Sequence, residues 1–393
     1  MGGLEDRLRD LIQATTDWLA TMLPAHLTWM TGPAERTMEY ALGPLIDRGG
    51  RFPWWGVAAG LAIATLVYFV EQRRADSGHR DGLLRFWFPR EIYRNKSVWV
   101  DLKVGFVNSV LIGNAVNVTW RLSAALFTSW ITWALTATFG AVDHPATWGP
   151  LSIVLFMIAL SMAADFGYFL FHWLAHVFPP LWAIHKVHHS AEVLTPLTAA
   201  RVHALERPVM GLFSSVTTGV LTGPLFYLHG GETSVPTIFG LNMAAVAFFM
   251  LGHVLHHSHV WVYFGPVIGR VIVSPAQHQI HHSCLPQHLD KNFAEHWAIW
   301  DTIFGTLYLP KGREVLKLGL AGYQVQPHPG VVTANIRPVV ESVSAIAAMG
   351  KQGAGWFRQW RHRNDGLPVA STADPSTPRG EGFGAAPRAG TLV

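Results

Sequence analysis

Four clusters decide how this chain is read: His172-Trp-Leu-Ala-His176, His185-Lys-Val-His188-His189, His253-Val-Leu-His256-His257-Ser-His259 and His278-Gln-Ile-His281-His282. Sixteen of the 21 histidines of the 393-residue chain lie between His172 and His296. On a helix, residues four apart share a face, one turn or about 6 Å apart, so His172 and His176 can grip one ion together. In His185-x-x-His188-His189 the positions i, i+3 and i+4 share a face, yet the adjacent pair diverges by about 100°. One triplet can therefore touch two ions, and the same geometry recurs at His278, His281 and His282. A lone histidine on an apolar face, such as His144 or His229, is ordinarily a hydrogen-bonded core residue. Clustered imidazoles without a shared partner would leave many buried polar groups to satisfy, so the clusters read as a two-metal cage.

Outside the clusters the text is also patterned. Asp165-Phe-Gly-Tyr168 precedes the first, His189-Ser-x-Glu192 and Leu197-Thr-Ala-x-Arg201-Val-His203-x-Leu-Glu206 follow the second, and Val273-Ser-Pro275 introduces the last. Asn292-Phe and Trp300-Asp-x-x-Phe304-Gly-Thr306 come after it. With the His-x3-His and two His-x2-His-His boxes, this order resembles the fatty acid hydroxylase, or sterol desaturase, superfamily over roughly residues 85 to 310. The chain departs from that pattern at His257-Ser258-His259, where members usually read His-Ser-Asn, and at His203-Ala204-Leu205-Glu206, where they read His-Pro-Leu-Glu.

The resemblance implies two iron ions, O2 as co-substrate and hydroxylation or desaturation of a lipid C–H bond. It also implies electrons from a separate carrier, cytochrome b5-like or ferredoxin-like, with its reductase. The ligand set read here is His172, His176, His185, His188, His189, His253, His257, His278, His281 and His282. Within the third cluster His257 ranks first, then His253, then His256; His203 is either a ligand or a partner of one. Imidazole suits iron, zinc, copper and nickel alike, so the ligands alone do not name the metal. Five histidines per ion would leave about one coordination position open on each. Carboxylates should orient the imidazoles through their outer N–H groups. Asp165, two turns before His172, and Glu206 are the first candidates, with Asp290, Glu295 and Asp301 flanking the boxes.

Composition sets the environment. Charged residues are 14% and apolar residues 50%, with 17 Trp and 22 Phe, against about 25% charged in ordinary soluble domains. That balance indicates an all-α integral membrane protein with aromatic-rich interfaces. A net charge of +4 with no Lys/Arg stripe or stacking motif excludes a nucleic-acid binder and suits anionic headgroups. The single cysteine, Cys284, excludes internal disulfides. No flavin, haem or nicotinamide fingerprint occurs, in keeping with external electrons. Met1 to Leu19 carries four acids and no apolar core, so it does not read as a secretory signal.

Four to five transmembrane helices and a cytosolic helical cap holding the site are expected. Leu4 to Met22 has apolar residues at helical spacing and reads as a surface or packing helix. Trp54 to Glu71 is long enough to span about 27 Å. The basic stretch from Arg73 to Lys103 follows, which the positive-inside rule places in the cytoplasm. Val104 to Phe139 reads as one crossing in preference to a hairpin, and Leu151 to Phe171 as the next. Pro208 to Leu228 and Val235 to Gly252 read as an apolar pair around Gly230-Gly231. The domain plan is 1–52 interfacial, 53–310 catalytic, 311–363 peripheral and 364–393 disordered.

Rival classes fit less well. A two-zinc hydrolase would want a bridging carboxylate and a general base within the boxes. A metal transporter would place its ligands at mid-membrane rather than just past the ends of apolar runs. A haem protein needs only paired axial histidines.

Overall fold

The computed structural model describes residues 54–74, 82–143, 149–229, 237–238, 241–321 and 326–352. The expected helix at Leu4 to Met22, the Gly230-Gly231 turn, His144 and the tail after Asn364 lie outside the described residues. Residues 1–346 form one compact unit and 347–393 another. The architecture is all-α: α1 (Trp54–Arg74), α2 (Lys96–Phe139), α3 (Pro150–Val177), α4 (Pro179–His189), α5 (Glu206–Leu228), α6 (Met243–Met250), α7 (Pro275–His281), α8 (Ile299–Phe304) and α9 (Val331–Gln352). A minimal antiparallel pair, Thr237–Ile238 with Leu241–Asn242, joins Thr237 to Asn242 and Ile238 to Leu241.

Among the described residues four helices are long and apolar enough to cross a bilayer: residues 55–73 in α1, α3, α5 and residues 331–351 in α9. The last lies in the segment expected to be peripheral, and its apolar Val332, Ile336, Val340 and Val343 are exposed. Residues 96–139 form one unbroken helix, not a hairpin. At 44 residues it runs about 66 Å, twice the bilayer core, so part of it must lie outside the membrane. Among the described residues of the apolar stretch after Gly231, the helix is α6, eight residues or about 12 Å long, which by itself is too short to span. Gly252, at φ 87°, ends that helix in the left-handed region that glycine tolerates.

Small residues bring the long helices together. A Cβ on Gly219 or Gly223 of α5 would fall 2.4 Å and 2.6 Å from the side chains of Phe127 and Ile131 on α2. This is the small-xxx-small seam by which apolar helices approach closely. Across it Thr128 and Thr222 share a 2.6 Å hydroxyl hydrogen bond, and Thr132 donates to the Gly223 carbonyl at 3.0 Å. Gly167 does the same between α3 and α5, its backbone packed against Phe213 and Ser214.

Above these helices small cores clamp the histidine boxes. Phe169 of α3 packs on Val273, Phe293, Ala294 and Ala298. Val187 of α4 packs on Val100 and Val104 of α2 and Ala334 of α9. Val254 and Leu255 pack on Ala64 of α1.

Candidate metal centre

Box one rides on the end of α3, where the exposed Leu151, Val154, Leu155 and Ile158 give way to the buried Asp165, Phe169 and His172. The helix stops because Phe178 precedes Pro179; it is extended at φ −99°, ψ 110°, as a residue before proline prefers. Pro179 and Pro180 then open α4, which folds box two back against box one. Box four is set by its own cap. Ser274 is the N-cap of α7, its hydroxyl and amide both donating to Gln277 Oε1 at 2.8 Å and 3.0 Å, and Pro275 fills the first helical position.

Folding brings nine imidazoles into two groups. His172, His176, His185, His189 and His281 form one; His188, His257, His278 and His282 form the other. Each box-two and box-four triplet thus splits between the groups, as the divergence of adjacent histidines requires. His189 Nε2 lies 3.1 Å from His176 Nε2, 3.0 Å from His185 Nε2 and 3.1 Å from His281 Nε2. His257 Nε2 lies 3.1 Å from His188 Nε2 and 3.0 Å from His278 Nε2, and His278 lies 3.3 Å from His282.

The outer nitrogens fix the tautomers. His172 Nδ1 donates to the Phe293 carbonyl at 2.6 Å, His188 Nδ1 to Arg201 O at 3.3 Å and His281 Nδ1 to Lys291 O at 2.8 Å. His185 Nδ1 donates to Glu206 Oε1 at 2.9 Å. These oxygens only accept, so the protons sit on Nδ1 and the Nε2 lone pairs point at one another. His172 Nε2 is buried without a hydrogen-bond partner. Lone pairs at 3 Å repel unless a cation lies between them. Donors at right angles, each about 2.1 Å from an ion, stand about 3.0 Å apart, against about 3.4 Å for a tetrahedron. The residues therefore fit two transition ions with crowded, near-octahedral imidazole shells.

Burial keeps these rings neutral. His189, His281 and His282 are pushed well below the usual histidine range, first by burial and then by neighbouring imidazoles, and His278 falls to about 3 for the same reasons. Neutral imidazole is the ligating form.

Of the ten sequence-predicted ligands, His253 alone stands outside both groups. It and His257 do not share a helical face, because Gly252 ends α6 and residues 253–255 form a 3₁₀ turn. His253 instead stacks on His296, with ring centroids 4.8 Å apart. His256 lies between His253 and His278, and His259 contacts the Phe86 carbonyl at 2.7 Å. His203 spends both ring nitrogens, Nε2 on Asn335 O at 2.8 Å and Nδ1 on the Leu205 amide at 3.0 Å. That leaves it no lone pair for a metal.

The carboxylates divide likewise. Glu206 orients His185, and Asp290 Oδ1 lies 3.5 Å from His176 Nδ1. Asp165 does not reach the cage: it accepts the backbone N–H groups of His296 and Trp297, each at 3.0 Å. Asp301 accepts from the Phe293 and Ala294 amides and the Thr306 hydroxyl at 2.8, 2.9 and 2.6 Å. It thereby holds the carbonyl that orients His172, a role its place in Trp300-Asp-x-x-Phe-Gly-Thr did not disclose. Box two is braced by a fully buried pair, Arg201 to Asp101 at 2.9 Å.

Helices long and apolar enough to cross a bilayer thus end beside two all-histidine clusters, each of which could hold a metal ion. The fatty acid hydroxylase family model matches residues 156–306, a span that contains all nine clustered histidines. It is 32% identical over 155 residues to an alkylglycerol monooxygenase of Danio rerio, covering 39% of this chain and 31% of that protein. The human alkylglycerol monooxygenase is 29% identical over 164 residues, 42% and 31% of the two chains. An ornithine lipid hydroxylase of Rhizobium tropici is 29% identical over 204 residues, 51% and 57%. The chain thus spans about a third of the length of the first relatives and just over half of the last. No solved structure matches it.

Proposed function

We propose that this chain is a membrane-bound lipid hydroxylase, in which R–H, O2, two electrons and two protons give R–OH and water. The observation that carries the reading is the convergence of nine buried or half-buried histidine rings in two groups where apolar helices end. Iron held by His172, His176, His185, His189 and His281, and by His188, His257, His278 and His282, would supply the activation of O2. Glu206, Asp290 and the Phe293, Arg201 and Lys291 carbonyls aim the rings through their Nδ1 atoms and keep the ligating nitrogens unprotonated. Burial by Phe169, Phe293 and Val187 excludes water from around the rings.

The exposed apolar faces of α3 and α5 support an acyl or alkyl chain approaching from the bilayer. That relatives are named for alkylglycerol and ornithine lipid supports a lipid substrate. The catalytic unit is taken as residues 53–310, facing the cytoplasm. Phe86 and Asp101, within the basic stretch, touch His259 and Arg201 directly, which supports that stretch and the cage lying on one side. Electrons come from a separate cytochrome b5-like or ferredoxin-like carrier with its reductase. Mass spectrometry of lipids from cells with and without the chain tests the reading: a +16 species supports it. A −2 species means desaturation, and no change removes the proposal.

A further inference from the structure

Beyond His256, on the side away from the cage, His253, His256, Glu295 and His296 close with Phe248 and Ile272 around one small cavity. It has room for a single water-sized guest, about 10 Å³. Glu295 stands between two imidazoles, Oε1 3.8 Å from His253 Nε2 and Oε2 3.9 Å from His296 Nδ1. Asp165 Oδ1 lies 3.3 Å from the same His296 nitrogen. One donor atom each from Asp165, Glu295 and His296 fall within 4.8 Å of one another.

The two Glu295 separations exceed hydrogen-bond length. They match donors that share a cation: bonds of about 2.1 Å put two such atoms about 3.0 Å apart at right angles and about 4.2 Å apart when opposed. The surroundings favour positive charge. Asp165 and Glu295 both bring carboxylate oxygens within 4 Å of the His296 imidazole.

We propose that His253, Glu295 and His296, backed by Asp165, form a third divalent-metal site, distinct from the cage. Two imidazoles beside carboxylates select a transition ion such as Zn²⁺ over Mg²⁺ or Ca²⁺. An ion there ties the end of α3, the turn after α6 and the 295–296 segment together at one point. The site does not depend on the identity of the cage metals or on the reaction proposed for them.

The test is Zn²⁺ stoichiometry of the full-length protein stripped of its metals and reloaded with Zn²⁺ alone, for wild type, Glu295→Gln and His253→Ala. Glu295 is partly exposed, so its amide variant should fold, and ions kept in the cage report folding internally. The expected result is three Zn²⁺ per chain for wild type and two for each variant. A wild type that holds no more than two ions overturns the site, as do variants that keep the wild-type number. Loss of every ion in both variants also counts against it, since emptying a separate site leaves the cage filled.

Discussion

Replacing Asp101 by Ala attacks the cage from a distance. Arg201 and Asp101 are both fully buried. The guanidinium also donates to Val187 O at 3.2 Å, Ser97 Oγ at 2.9 Å and Ser190 Oγ at 3.0 Å. Val187 and Ser190 bracket His188 and His189, so this one side chain holds box two against α2. Without Asp101 the guanidinium keeps only neutral hydrogen-bond partners, Val187 O, Ser97 and Ser190 Oγ, for a charge cut off from water. Breaking a buried pair in this way costs about 3–5 kcal/mol, on the order of 10²–10³ in the folded-to-unfolded ratio and a large share of a stability of about 5–15 kcal/mol. Thermal unfolding in detergent, read beside metal retention, should show a large loss of both for Asp101→Ala. The double variant Asp101→Leu/Arg201→Met should recover most of the stability, because matched apolar groups replace buried pairs at little cost. A single variant within about 0.5 kcal/mol of wild type would refute the reasoning.

His281→Ala should empty the five-histidine group and His282→Ala the four-histidine group, each abolishing oxidation while membrane insertion persists; metal counting and fractionation check this. Glu206→Gln should weaken metal affinity by about 10–100-fold, since His185 loses its carboxylate partner; competition with a chelator measures it. His189, His278, His281 and His282 have lowered folded pKa values, so the unfolded chain binds more protons and stability rises with pH. Stability and metal should therefore be retained above about 6.5 and be lost progressively on acidification towards the His278 value of about 3; unfolding midpoints across pH 3–8 would show the trend.

The boxes were legible because helical spacing is local: the divergence of adjacent histidines lets each triplet reach two groups, as His185/His189 against His188 and His278/His282 against His281 do. His253 misled the same reasoning, since four-residue spacing implies a shared face only if the helix continues, and Gly252 ends it. Glu206 was readable as a ligand partner, whereas Asp165, two turns before His172 on the same helix, spends its oxygens on amides about 130 residues away. The Arg201–Asp101 pair, the Asp301 clamp and the role of α9 are likewise made by contacts between distant segments. Local pattern carries no signal for them. The apolar run ending at Gly252 had the composition of a span, but its described helix is only α6.

Incorporation of ¹⁸O from ¹⁸O2 into lipid by the purified, iron-loaded protein supplied with reductant tests the central claim most directly. Oxygen label in a lipid hydroxyl for the wild type, and none for His281→Ala, is the predicted result. Unlabelled lipid with wild type, or equal labelling by His281→Ala, would contradict it.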